Sequence, residues 1–277
     1  MARMLIFGLG YCASHIAARL GAAGWRVAAT GTQGNLRFDD GDGVLAAIAG
    51  ASHVLSSVPP GDADPVLARY GEALRTSGKW LGYLSSTGVY GDTGGAYADE
   101  TAPTGTGRRS ARADADAHWL HLGAHVFRLP GIYGPGRSAL DRVAQGKARR
   151  IDLPGQVFSR VHVADIVSGV IAALDAPAGA YNLADDLPCS QNRVIEEACR
   201  LLDTAPPPLQ SLAEAGLSPQ ALAFYSENRR IANGKAKRVL GWCPQYPTYR
   251  EGLRALIATT RPSIASAAPD AASSDQR

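Results

Sequence analysis

Two stretches of the chain carry residue types at spacings that suggest chemistry. In "LIFGLGYCASHIAARL", Gly8, Gly10 and Ala13 make a Gly-x-Gly-x-x-Ala pattern where a short apolar run gives way to a helical one. The first glycine permits a tight turn, the second lets a pyrophosphate approach the backbone, and the small third residue lets helix pack closely on strand. The start of that helix would face the phosphates with its partial positive charge and free N–H groups. Tyr11 and Cys12, between the second glycine and Ala13, complete the cofactor-binding set at this turn. The second stretch, "SSTGVYGDTGG" from Ser85 to Gly95, follows the apolar run Trp80 to Leu84 and opens on three successive hydroxyls, Ser85, Ser86 and Thr87, followed by a tyrosine, where a plain connector would need none of them.

The next strand end bears on which dinucleotide is held. A fold preferring NAD places a carboxylate about 20 residues beyond the glycines to accept from the ribose 2′-hydroxyl. Here the sequence reads "AATGTQGNLR": Thr30 and Thr32 bring no charge and Arg37 suits a 2′-phosphate, so NADP is favoured over NAD. Asp39, Asp40 and Asp42 come too late to be the ribose acid and are read as solvating a turn.

Elements are needed to position these groups. Apolar runs at "MLIFG", "RVAAT", "HVLSSV", "WLGYLSS" and "AHVFRLP" alternate with helical segments at Cys12 to Ala23, Pro65 to Thr76 and about 110 to 122. Strand alternating with helix implies a parallel sheet covered on both faces, because parallel strands require crossovers. The expected fold is α/β, a Rossmann doubly wound parallel sheet over residues 1–180, with a smaller, mostly helical substrate domain at 181–260 into which 134–160 is interleaved. Residues 261–277, rich in Ala, Ser, Pro and Asp without periodicity, are expected to be a disordered tail.

Bulk properties exclude several classes. The 277 residues carry a net charge of +3 with 19% charged side chains and dispersed basic residues, which argues against nucleic acid or a membrane surface as partner and for a small molecule. Cys12, Cys189, Cys199 and Cys243 show no CxxC spacing, so neither a zinc site nor a secreted disulfide framework is indicated. The N-terminal apolar run is too short for a signal-peptide core and no segment is long enough to span a bilayer, so a cytoplasmic protein is expected.

Taken in order, "GYCASH" after the glycines, "YLSSTGVYGD", "FRLPGIYGPGRS", "RVHVADIVSGVIAAL" and "YNLADD" resemble the extended short-chain dehydrogenase/reductases, the NAD-dependent epimerase/dehydratase family. The likeness covers residues 4 to 260, although that family spaces its glycines GxxGxxG. It implies a nicotinamide cofactor across the C-terminal edge of the sheet, Ser86 as the catalytic hydroxyl, and "SSVPP", with Ser57, Val58, Pro59 and Pro60, flanking the nicotinamide and ribose. Thr87, Tyr133 and Arg137 fall on the substrate side, and a homodimer through the helix after "TGTGRR" is implied, the sequence itself leaving the oligomeric state open.

The chain departs from the family at its catalytic centre. The family uses a tyrosine followed four residues later by lysine, the ammonium lowering the phenol's pKa so that it serves as general acid or base. In "DETAPTGTGRRSARADADAHWL" those positions fall on Ala111 and Ala115, or, with a short gap, on Arg108 and Arg112. An arginine cannot donate the proton, since it stays charged, but it binds anions well. Tyr90, in the same loop as Ser86, and Tyr97 are the phenols nearby, with Tyr90 the catalytic candidate and the proton donor left unassigned. His118, His121 and His125 have helical spacings but no accompanying acid or cysteine cluster, so no metal is expected. Asp165 is read as a helix N-cap, and Arg229, Arg230, Lys235, Lys237 and Arg238 as a solvated helix face or a clamp for an acidic substrate.

The functional expectation is therefore an atypical member of that family: an NAD(P)-dependent oxidoreductase or epimerase/dehydratase-like enzyme transferring hydride at a carbonyl, alcohol or sugar derivative. The alternative is a non-catalytic NAD(P)-binding sensor or scaffold.

Overall fold

A computed structural model describes residues 1–107 and 110–260. Arg108 and the 261–277 tail expectation lie outside the described residues.

In chain order the elements are β1 (Arg3–Phe7), α1 (Tyr11–Ala22), β2 (Arg26–Ala29), α2 (Gly41–Gly50), β3 (His53–Ser56), α3 (Pro65–Arg75), β4 (Trp80–Ser86), a 3₁₀ turn (Thr87–Tyr90), β5 (Tyr97–Ala98), α4 (Ser110–His121), β6 (His125–Leu129) and β7 (Gly131–Tyr133). They continue with α5 (Ala139–Ala144), β8 (Arg150–Ile151), β9 (Arg160–His162), α6 (Val163–Ala172), β10 (Gly179–Asn182), α7 (Gln191–Leu201), β11 (Leu209–Gln210), α8 (Pro219–Tyr225), β12 (Arg230–Ile231), α9 (Gly234–Leu240) and α10 (Tyr249–Thr260).

Six strands form one sheet in the order β10-β6-β4-β3-β1-β2, and every neighbouring pair runs parallel. The expected doubly wound sheet is thus present. Successive side chains of a strand face opposite ways, and β1 shows the consequence: Met4 and Ile6 join a core with Ile16, Leu20, Phe127 and Val170, while Leu5 and Phe7 join another with Val44, Ile48, Tyr70 and Trp119. Apolar residues on both faces explain why the strands read as continuous runs rather than alternating ones.

The order reverses direction between β1, whose successor β2 lies on one side, and β3 on the other. Loops leaving the two strands diverge there and open a crevice outside their C-terminal ends, the usual ligand site of such sheets. The glycine turn and "SSVPP" border that crevice.

α2 has no counterpart in the sequence expectation. Its sequence, GDGVLAAIAG, holds glycine at both ends, but Asp40 caps it by accepting from Gly43 N at 3.1 Å. Asp40 is thus an N-cap rather than only a solvated turn residue. α3 starts where Pro65 predicts, with Asp64 accepting from the Val66 and Leu67 amides and also from Trp119 Nε1 at 2.8 Å.

A further core joins Tyr133, Leu140, Val194, Ala198, Leu253 and Leu256, packing α5, α7 and α10 together beyond the sheet. Asp165 is not the N-cap of α6; His162 is, accepting from Ala164 N. The carboxylate of Asp165 is buried and accepts from Gln245 N at 2.5 Å and Tyr246 N at 3.2 Å, tying the segment before α10 to α6.

Among the described residues no helix is long and apolar enough to cross a membrane.

Candidate functional site

The turn between β1 and α1 is built to leave backbone uncovered. Gly8 has φ +81°, a left-handed conformation that favours glycine. A Cβ there would lie 2.9 Å from Val58 Cγ2, so β3's exit loop also demands the missing side chain. Thr30 Oγ1 accepts from Gly8 N at 3.1 Å, and Ser57 Oγ donates to Gly8 O. Thr30 and Ser57 therefore hold the turn.

Gly10 is different. It is the N-cap of α1, no side chain caps the helix, and no acidic residue occupies the first turn. A Cβ added to Gly10 would meet nothing within 4 Å, so the protein leaves this position open rather than packing against it. A helix start without a capping carboxylate or hydroxyl, next to open space, fits the diphosphate of a dinucleotide. Ala13, wholly buried in the core, seats α1 against the sheet.

At the end of β2, Thr32 and Arg37 are exposed. Arg37 donates to Asp39 through Nε at 3.1 Å and Nη2 at 2.9 Å. Asp39 therefore accompanies Arg37, and its carboxyl is held below the usual range chiefly by that hydrogen bond.

A cleft of about 520 Å³ joins this turn to the end of β4; its walls include Gly10, Tyr11, Cys12, Ser57, Pro59, Ser86, Thr87 and Arg112. Arg137, Phe158, Phe224 and Arg229 close it from the other side. Of the sequence-derived residues, the structure thus brings the glycine turn, the β3 loop, the β4 hydroxyls and Arg112 into one cavity.

The three hydroxyls of "SST" divide their work. Ser85 Oγ donates to Asp116 Oδ2 at 2.6 Å, inside the buried ion pair between Asp116 and Arg128. Ser86, half-buried, accepts from Gly88 N at 3.1 Å and caps the 3₁₀ turn. Among the described residues its O–H has no acceptor, and the hydroxyl of Thr87 has no partner at all. All three residues border the cleft, but the Ser85 hydroxyl is committed to Asp116, which leaves Ser86 and Thr87 with hydrogen-bonding capacity there.

Tyr90 is placed away from the cleft. Its hydroxyl donates to Asn182 Oδ1 at 2.8 Å and accepts from Arg128 Nη1 at 2.9 Å. Burial pushes the phenol up to about 12, and Tyr90 is not among the residues that line the cleft. Arg112, from α4, donates through Nη1 to Tyr83 OH at 2.8 Å and to Leu84 O at 3.4 Å.

Tyr133 lines a second cavity of about 700 Å³ that shares Ile132, Arg137, Phe158 and Phe224 with the first. Its hydroxyl is buried with no hydrogen-bond partner among the described residues, and burial raises its pKa strongly. The cavity also presents Arg142, Lys147, Arg149 and Tyr225. Sequence reasoning missed these basic residues and the Phe158–Phe224 stack, whose ring centroids are 4.5 Å apart. The two aromatics are distant in the chain and carry no local motif.

In the second basic cluster Arg238 is exposed on α9, as a solvated face would have it, but the other four residues are engaged within the protein. Arg229 donates to Gly91 O and Glu227, Arg230 to Gly95 O, Lys235 to Ala180 O, and Lys237 to Asp186. Each ties one segment to another. His118 and His121 are exposed on α4 whereas His125 is buried at the start of β6, so their spacing does not gather them.

Comparison with known proteins gives a consistent frame. No family model matches the chain. The solved structure of a functionally unknown conserved protein from Silicibacter pomeroyi DSS is 39% identical, with a TM-score of 0.84 over 94% of this chain and 99% of that one. A 3-diazoavenalumate denitrifying reductase from a Streptomyces species is 33% identical over 144 residues, 48% of this chain and less than half, 46%, of that protein. Protein YeeZ of Escherichia coli (strain K12) is 28% identical over 89% of this chain and 97% of its own length. In fold, the chain matches the UDP-glucose 4-epimerase of Thermus thermophilus, solved with NAD, at 22% identity and TM-score 0.69 over 92% of this chain and 98% of that one. It also matches human epimerase family protein SDR39U1, solved with NADPH, at 16% identity and TM-score 0.73 over 92% and 99% of the two chains.

Proposed function

The chain belongs to the same family as the conserved Silicibacter pomeroyi protein and has the extended short-chain dehydrogenase/reductase fold, and from that premise we propose that it is an NAD(P)-dependent oxidoreductase acting on a carbonyl or alcohol. The observation that carries this reading is the continuity of one cleft from the open Gly10 to Ser86 and Arg112.

In this reading residues 1–180 hold the cofactor, and 181–260, together with 134–160, shape the substrate end. Gly8, Gly10, Tyr11, Cys12 and Ala13 receive the diphosphate at the start of α1, and Ser57, Val58, Pro59 and Pro60 flank the ribose and nicotinamide. Thr32 and Arg37 face the adenosine ribose; residues 26–38 contain no carboxylate, which favours NADP over NAD. When bound, a reduced nicotinamide supplies the hydride. Ser86 directs its O–H at the reacting oxygen, while Thr87, Tyr133 and Arg137 border the substrate. Arg137, Arg142, Lys147 and Arg149 have no carboxylate partner among the described residues, and with Phe158, Phe224 and Tyr225 they suit a substrate with an anionic group and an apolar body.

Calorimetry with NADPH and NADH, followed by turnover on a panel of anionic carbonyl compounds and sugar nucleotides, tests the reading. Ser86→Ala is expected to keep cofactor affinity and lose about 10²- to 10³-fold in turnover, the effect of removing one transition-state donor. Absence of binding heat with either nucleotide on folded protein would overturn it. One observation favours a second reading, a non-catalytic NAD(P)-responsive sensor: Tyr90, the phenol of the Ser86 motif, is committed to Arg128 and Asn182 and does not line the cleft. Tight NADPH binding, no turnover and indifference to Ser86→Ala are what that reading expects.

A further inference from the structure

The end of the cleft beside β4 is unusual in its hydrogen-bond balance. Ser86 offers an O–H with no acceptor among the described residues, and Thr87 a hydroxyl with no partner. Arg112 lines the same cavity. Its Nη1 is engaged by Tyr83 OH and the Leu84 carbonyl, so Nε–H and both Nη2–H groups have no acceptor among the described residues. Among the described residues no carboxylate pairs with Arg112. Asp114, two residues on, is exposed and makes no ion pair among the described residues, while Asp116 pairs with Arg128 at 2.7 Å and Glu227, which lines the cleft, with Arg229 at 2.8 Å.

Arg112 is also held in place. Its guanidinium lies 5.8 Å from the ring centroid of Tyr83, and Tyr83 is fully buried and stacked on Trp119 at 5.4 Å. Burial pushes the Tyr83 phenol up to about 12, so it remains a neutral anchor. A fixed cation with spare donors, beside two spare hydroxyls, is a preorganised site for an oxygen that carries or develops negative charge.

We propose that Arg112, Ser86 and Thr87 form an oxyanion site in which a fixed guanidinium charge replaces proton transfer from a tyrosine. This rests on the oxidoreductase reading above. The carbonyl carbon gains a hydride from the reduced nicotinamide dinucleotide, and its π electron pair moves to oxygen. The resulting alkoxide lies against Arg112 and takes its proton from water as product leaves; the carbonyl is reduced and the nicotinamide oxidised. Because an arginine side chain stays charged, it stabilises the alkoxide without having to titrate.

The test uses acetate as an oxyanion mimic and acetamide as its neutral counterpart, titrated into the full chain with and without saturating NADPH. Readouts are calorimetry and the fluorescence of bound NADPH. Wild type is expected to bind acetate at least about tenfold more tightly than acetamide, the worth of a charge-assisted hydrogen bond. Arg112→Gln should abolish that preference with the NADPH dissociation constant changed less than about twofold, and Arg112→Lys should restore part of it. Undiminished acetate preference in Arg112→Gln, or none in wild type, overturns the proposal. Should Arg112→Gln fail to fold, the Ser86→Ala, Thr87→Val double variant must weaken acetate binding for the proposal to stand. Failure of NADPH to bind overturns the oxidoreductase reading instead, and the titration without cofactor still decides whether the anion site exists.

Discussion

Replacing Gly10 by alanine separates the glycine turn's role in folding from its role in binding. At Gly10 the backbone has φ −86° and ψ −170°, which any residue adopts, and an added Cβ meets nothing within 4 Å. The stability cost is then that of an alanine at an N-cap, about 1 kcal/mol. The same Cβ would occupy the path by which a phosphate reaches the first amides of α1, and losing one charge-assisted hydrogen bond costs about 1.5–3 kcal/mol, or roughly 10- to 100-fold in affinity. Gly8→Ala behaves in the opposite way. It forces alanine to φ +81° and its Cβ to 2.9 Å from Val58 Cγ2, costing about 2–5 kcal/mol from left-handed strain and overpacking.

A compensating change removes the remaining ambiguity. Gly21, in the last turn of α1, also has open space around its Cβ, so Gly21→Ala should add up to about 1 kcal/mol of stability through helix propensity. The Gly10→Ala, Gly21→Ala double variant should match wild type in urea denaturation yet bind NADPH roughly 10- to 100-fold more weakly by calorimetry. Wild-type affinity in that variant would refute the placement of the diphosphate over Gly10.

Three further outcomes follow from the geometry. Asp116→Ala strands Arg128, whose side chain is only 4% exposed; a loss of about 3–5 kcal/mol is expected in chemical denaturation, and a loss below about 1 kcal/mol would contradict burial of the pair. Arg37→Ala, at an exposed position, should lower NADPH affinity by about tenfold while leaving NADH affinity unchanged, checked by parallel titrations. Burial raises the Asp185 carboxyl from 3.8 to about 7, so the folded state binds this proton more tightly than the unfolded state. Its contribution is full below about pH 4 and is lost as pH rises to about 7, and Asp185→Asn should flatten that part of the stability profile measured by urea denaturation.

How far the sequence reveals the site depends on the range of the interaction that builds each part. The glycine turn is local: the positive φ of Gly8 and the open Gly10 are demands of one strand-to-helix junction, and residue type reports them directly. The strands were legible because burial on both faces leaves unbroken apolar runs, whereas α2 was not, since "VLAAIA" between glycines fits a buried strand or a helix equally. Asp165 shows a different failure. Its place near the start of a helix matches a cap, but its partners are the amides of Gln245 and Tyr246, some 80 residues away, and no local pattern encodes them. The same holds for Tyr90, which lies in the motif beside Ser86 yet is turned into a network whose other members, Arg128 and Asn182, come from β6 and β10.

Ser85 and Ser86 sharpen the point. They are adjacent and chemically identical, and strand alternation sends their side chains to opposite faces. The Ser85 hydroxyl is spent on Asp116, whereas that of Ser86, at the same cleft, only accepts from Gly88 N and keeps its O–H. Arg112 then acquires its significance from what surrounds it: Tyr83 and Leu84 hold one end, no described carboxylate neutralises it, and two unfilled hydroxyl donors stand in the same cavity. An arginine in a sequence specifies a charge, and the fold decides whether that charge is spent on another protein group or kept for a ligand. Here Arg128 is spent and Arg112 is kept, which is why the anion-binding chemistry is assigned to α4's arginine rather than to the buried pair beneath it.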